Sequence, residues 1–214
     1  MRYIDPDGRI QRDANGKVIY EKYYKEGWVS KQVTEKRPGG IDGTSSALFM
    51  LYKYEIGYIF ADDGTKIGVK KLLNAVYAKV RFKGEVQYGD PEVLDMPAGF
   101  DATSNCHGFT FADNEFSIDD SAVSAILIGD GYKVVGKVKG NGKNASSSFK
   151  GANIVVFYNH KGEVIHTARV NADGTYSDNA GFEKVQHNKI ELQGANSASR
   201  GMDFKEAIFY RYDP

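Results

Sequence analysis

The chain has 214 residues, 41% of them apolar, with 28 Lys plus Arg against 28 Asp plus Glu. That length holds one large domain, or a catalytic domain with a smaller module, and can bury a core without staples. The charge balance excludes an overall electrostatic footprint for nucleic acid or an anionic membrane, no apolar run approaches the roughly 18–20 residues of a membrane span, and a single cysteine excludes an internal disulfide and a zinc site of several thiolates.

Turn-forming residues dominate the punctuation. Gly is frequent at 24 and Pro scarce at 5, and Asp-Gly and Asn-Gly pairs favour an α+β chain over a helical bundle. Residues 1–24 read as a hairpin, with Ile10-Gln11-Arg12 before Asp13-Ala14-Asn15-Gly16 and Lys17-Val18-Ile19-Tyr20 after it. Trp28 to Ile41 reads as irregular and ends in a linker at Pro38-Gly39-Gly40. Ala47 to Phe60 reads as strand-like, with helix as the alternative, and ends at Asp62-Asp63-Gly64. From Val69 to Phe82, apolar Val69, Leu72, Leu73, Val76 and Val80 predict one face of a helix.

The pattern changes near Met96. Cys106 to Ala112 is a short segment after a Ser-Asn pair, and Asp119-Asp120-Ser121 caps a helix over Ala122 to Ile128, which Gly129-Asp130-Gly131 stops. Gly140 to Gly151 is a polar loop. Ile154 to Tyr158 and Val164 to Val170 form a hairpin around Asn159-His160-Lys161-Gly162. Tyr176 to Phe182, Lys189 to Leu192 and Ala207 to Tyr210 are strand-compatible. The division is therefore 1–24, then an extension over 25–97, then a distinct region over 98–214.

Three residues carry the candidate chemistry. Cys106 lies in Ser104-Asn105-Cys106-His107-Gly108-Phe109. A helix start and a nearby imidazole both lower a thiol's pKa, and Gly108 permits close backbone packing. The competing reading is a buried thiol acting as a small hydrophobe. His166 interrupts an apolar strand, and alternation puts Val164, His166 and Ala168 on one face. It is either a structural histidine or the base of a Cys–His pair. Asp178, twelve residues on, can orient the imidazole if the two strands pair antiparallel, and a one-residue slip puts Asn179 there instead.

The remaining histidines attract bland readings. His107 need not face Cys106 because it adjoins it in sequence, and His160 and His187 sit in polar, exposed stretches. A Cys106/His107/His166/Asp178 metal site has no recognised ligand spacing behind it. The expectation is no metal and no cofactor.

Two stretches resemble known families. Arg2-Tyr3-Ile4-Asp5-Pro6-Asp7-Gly8-Arg9 resembles the R-Y-x-D-P-x-G-R signature at the end of the Rhs (YD-repeat) shell, which precedes a variable C-terminal toxin. The resemblance implies the toxin tip of a longer polypeptide, a shell remnant over residues 1–9 and a cognate immunity protein as partner. Residues 98–214 are similar to papain-like hydrolases of NlpC type. The similarity runs through Asn105-Cys106-His107-Gly108-Phe109, Asn153 to Tyr158, and Val164-Ile165-His166-Thr167-Ala168-Arg169-Val170. It implies a nucleophile-bearing helix packed on an antiparallel sheet, with Cys106 as nucleophile, His166 as base and Asp178 as orienting residue. Two departures stand out. His107 replaces a common serine, and an acid occupies a third position where many members have histidine.

The resulting expectation is a cysteine amide hydrolase acting on the cell-wall stem peptide. The alternatives are a protease, deamidase or transamidase acting on a cytosolic protein, and a non-enzymatic binding module, with which 14 Tyr and 12 Phe are compatible. Met1 to Gly8 is polar, so no secretory signal is expected there, and delivery into a target cell would fall to a secretion machine.

Overall fold

The computed structural model describes residues 10–32, 37–38, 43–97, 103–139, 149, 151–179, 186–189 and 204–213. The shell-like motif at residues 2–9 and most of the Gly140 to Gly151 loop lie outside these. The architecture is mixed α+β, dominated by two antiparallel sheets with short helices. The first sheet contains β1 (Glu21–Gln32), β2 (Arg37–Pro38), β3 (Thr44–Phe60), β4 (Lys66–Lys83), β5 (Val86–Gln87), β6 (Glu92–Leu94) and β7 (Ser117–Ile118). Its path is β1-β3-β4-β5, with β2 on β3 and with β6 and β7 on β4.

The long β3–β4 hairpin corrects the sequence reading of Val69 to Phe82, which is strand and not helix. The misreading has a physical cause. Lys53 pairs with Asn74 and Tyr54 with Leu72, so Leu73 is an extra residue, a β-bulge. It flips the parity of the buried positions from Ile67 and Val69 to Ala78 and Val80. Two period-two halves joined out of phase imitate helical spacing. Within the Trp28 to Ile41 stretch, read as irregular, β1 runs through Gln32 and β2 covers Arg37–Pro38, while residues 33–36 and 39–41, with most of the expected linker, lie outside the described residues. The Ala47 to Phe60 strand and the turn after it are observed. Gly64, at φ 89°, donates to Ala61 O at 2.8 Å.

The N-terminal turn forms as expected, with an antiparallel bridge between Arg12 and Val18 and Gly16 at φ 77°. Its first arm joins the end of the long hairpin, since Gln11 N donates to Phe60 O at 2.8 Å.

The second sheet comprises β8 (Tyr132–Lys139), β9 (Ile154–Tyr158), β10 (Val164–Val170), β11 (Tyr176–Asp178), β12 (Gln186–Lys189) and β13 (Glu206–Tyr212). Their order is β12-β11-β10-β9-β13-β8. Of the Tyr176 to Phe182 reading, β11 covers Tyr176–Asp178, and of the Lys189 to Leu192 reading, Lys189 ends β12; residues 180–182 and 190–192 lie outside the described residues. Helices α1 (Cys106–Ala112) and α2 (Val123–Gly129), with a 3-10 turn at Asp120–Ala122, connect the sheets. α1 packs on β10 and β7, and α2 packs on β8.

Two apolar clusters cover the faces of the second sheet. One joins Phe111, Phe116, Val123, Ile126, Val156, Val164 and Ile208 with Ile10, Val18, Ile59, Ile67 and Val69. Residues from before and after position 98 therefore share one core. The other cluster, with Val155, Phe157, Ala168, Tyr176, Phe204 and Phe209, lies on the opposite face. β9 is apolar at every buried position because both of its faces are covered. Among the described residues, no helix is long and apolar enough to cross a membrane.

Candidate active site

Asn105 sets the start of α1. Its backbone is extended and its side-chain oxygen accepts from Gly108 N and Ile118 N, both at 3.0 Å. Its amide donates to Ile118 O at 2.6 Å. One side chain thus caps the helix and ties it to β7. Gly108 is required for the same contact, because a Cβ there would lie 1.5 Å from Phe116 O. The far end of α1 is held by charge. Asp113 closes the helix at φ 48° and pairs with Arg12 and with Arg169, the latter at 2.6 Å. Arg169 also donates to Phe109 O at 2.5 Å, satisfying a carbonyl of the short helix.

This frame places Cys106 as the first residue of α1, partly exposed. His166 on β10 lowers its pKa through charge and a side-chain hydrogen bond, and β10 carries a bulge just before it. Val164 pairs with Tyr158 but His166 with Phe157, so Ile165 is extra. The expected common face of Val164, His166 and Ala168 is therefore corrected. Val164 packs into the core shared with α2, whereas Ala168 packs into the opposite cluster. The His166 ring lies 5.6 Å from that of Phe157 and is 5% exposed.

β10 and β11 pair antiparallel, with Arg169 opposite Ser177 and Val170 opposite Tyr176. That register brings Asp178 diagonally across from His166. His166 Nε2 meets Asp178 Oδ2 at 3.0 Å, and the carboxylate is 1% exposed. Asn179, the alternative partner, instead donates to Asn114 Oδ1 at 3.0 Å.

The sequence reading missed the role of His107. Its ring is fully buried, and its Nδ1 lies 3.7 Å from Cys106 Sγ and 2.9 Å from Thr167 Oγ1. Its Nε2 lies 2.8 Å from Asp120 Oδ1. Asp120 had been assigned to a helix cap. The 3-10 turn has no side-chain cap bond from Asp119, and the Asp120 carboxylate turns to His107 instead. The only signal in sequence was a polar ring within an otherwise apolar helix, His107-Gly108-Phe109-Thr110-Phe111-Ala112, all of it buried.

Electrostatics follow from this enclosure. Burial alone pushes the Cys106 thiol up, but the charges of His107 and His166 and their hydrogen bonds to the sulfur outweigh it and hold the thiol well below its ordinary range. Burial pulls both imidazoles down, while the Cys106 thiolate and the carboxylates behind each ring raise them, to about 9 in each case. Each imidazolium thus favours the thiolate, and the thiolate favours each imidazolium.

His160 is exposed in its turn, and His187 lies on β12, where its side chain is outside the described set. Among the described residues, no group of three or more His, Cys, Asp or Glu is arranged to hold a metal ion. Compared with protein-family models, curated proteins and solved structures, the chain matches none.

Proposed function

We propose that the chain is a cysteine amide hydrolase on a papain-like, NlpC-type plan, delivered as the toxin tip of an Rhs polypeptide. One observation carries the chemistry. A thiol at a helix start is flanked by His166, whose far nitrogen is 3.0 Å from the buried Asp178 carboxylate. Order along the chain, burial and spacing all suit nucleophile, base and orienting acid.

In the proposed reaction the Cys106 thiolate attacks an amide carbonyl. The first N–H groups of a helix have no intrahelical acceptor, so the Cys106 N–H can hold the developing oxyanion. His166 gives its proton to the leaving amine. It then takes a proton from water as that water attacks the thioester, and the Cys106 thiolate is released with His166 protonated again. Asp178 keeps the ring oriented and stabilises its charge throughout.

The favoured substrate is the cell-wall stem peptide, and the producing cell would need a cognate immunity protein. Purified sacculi incubated with wild type should release muropeptides, and Cys106→Ala should release none while keeping its circular dichroism spectrum. Release that persists in the alanine variant sinks the hydrolase reading. Toxicity confined to cytoplasmic rather than periplasmic expression would move the substrate to a cytosolic protein.

A further inference from the structure

His107 is held by contacts that determine its protonation state. Asp120 supplies a carboxylate oxygen at 2.8 Å from Nε2, and a carboxylate only accepts, so Nε2 carries a proton. On the other side Nδ1 faces Thr167 Oγ1 at 2.9 Å. The Thr167 hydroxyl donates its one proton to Thr110 Oγ1 at 3.0 Å. Its oxygen must therefore accept from His107, and Nδ1 carries a proton as well. Both ring nitrogens donate, which only the imidazolium can do.

We infer that His107 is a standing imidazolium whose charge, 3.7 Å from Cys106 Sγ, keeps the thiol ionised without His166. The two rings then divide the work. His107, locked between Asp120 and Thr167, supplies fixed charge. His166 has its far nitrogen on Asp178 and its other nitrogen on the sulfur side, where it can pass a proton to a leaving group. The proton balance is simple. The thiol proton goes to solvent before substrate binds, and His166 enters the cycle already protonated.

Two imidazoles act on the sulfur, His107 on α1 and His166 on β10, and a carboxylate stands behind each, Asp120 on the 3-10 turn and Asp178 on β11. Arg169 is the next charge on β10, but it is turned to the Phe109 carbonyl and Asp113 at the other end of α1. The nearest alternative role for His107 is a passive clamp between helix, turn and sheet.

The catalytic consequence rests on the hydrolase reading, but the thiolate itself is measured without substrate. The experiment is the pH dependence of iodoacetamide alkylation in wild type, His166→Gln, His107→Gln and Asp120→Asn, with circular dichroism as the folding control. The expected result is a His166→Gln midpoint within about one pH unit of wild type, and a His107→Gln midpoint raised by about two units toward the ordinary thiol value of about 8.5. A midpoint that rises in His166→Gln and stays low in His107→Gln overturns the inference. Should His107→Gln fail to fold, Asp120→Asn at its largely exposed site takes its place. A raised midpoint there supports the inference, and an unchanged one overturns it. A low wild-type midpoint that survives in His166→Gln, in a protein that hydrolyses nothing, supports the standing charge and sinks the hydrolase reading instead.

Discussion

The β3–β4 and β9–β10 hairpins share a local plan, two antiparallel strands with a bulge, and differ in what covers them. The long strands of 17 and 18 residues mix buried, half-buried and exposed positions, and the bulged Leu73 is 41% exposed. The short strands of 5 and 7 residues are buried on both faces. In the long hairpin the extra residue merely changes which side chains face the core. In β10 the same device re-aims a histidine. Val164 stays in the core shared with α2, His166 turns toward Phe157 and Asp178, and Thr167 reaches α1. A bulge acquires chemical meaning where both faces are enclosed, because a redirected polar side chain there must find a partner.

Substitutions can break this comparison. Replacing Gly108 with Ala should have the largest effect on stability, since its Cβ would meet the Phe116 carbonyl and two backbones would have to separate. The expected loss is about 3 kcal/mol, read as a lowered urea midpoint. A variant as stable as wild type would mean that the helix start is not pinned to β7 as described.

On the proposed hydrolase reading, Asp178→Asn should leave the fold in place and lower kcat/KM by roughly a hundredfold or more. It should also change the pH profile. His166 is raised to about 9, against the pull of burial, by the thiolate and by its contact with Asp178. Its ion-pair contribution to stability is therefore complete below its ordinary value near 6.5 and disappears as pH rises through about 9. Removing the carboxylate moves that upper limb of activity and stability to lower pH. An unmoved limb would assign the orienting role elsewhere.

Leu73→Lys should have the smallest effect, within about 0.5 kcal/mol, because the bulged side chain already faces solvent. Thermal unfolding checks it. A loss several times larger would show that the long hairpin is as enclosed as the short one, and the contrast between them would fail.

The β9–β10 hairpin was legible from sequence because its turn residues bound short apolar runs. Asn159 N bonds Glu163 O at 2.9 Å and Gly162 adopts φ 79°, as the turn composition implied. The start of α1 came from the resemblance, through Asn105-Cys106-His107-Gly108-Phe109, and the structure supplies its physical basis in the Asn105 cap and the close approach at Gly108. The Val69 to Phe82 strand was not, because a bulge is a property of pairing and leaves its trace in sequence only as a broken period.

The candidate site divides along the same line. By itself the sequence determined that one thiol exists and that His166 and an acidic residue follow on successive strand-like segments, because turns and strand order are local. Only tertiary structure decided which acid meets His166. Register between β10 and β11 chose Asp178 and left Asn179 to Asn114. It also decided that a histidine adjoining the thiol faces it. The ring of His107 is steered by Thr167, sixty residues away, and by the Asp120 carboxylate, and no spacing along the chain encodes contacts that form only when helix, turn and sheet close around them.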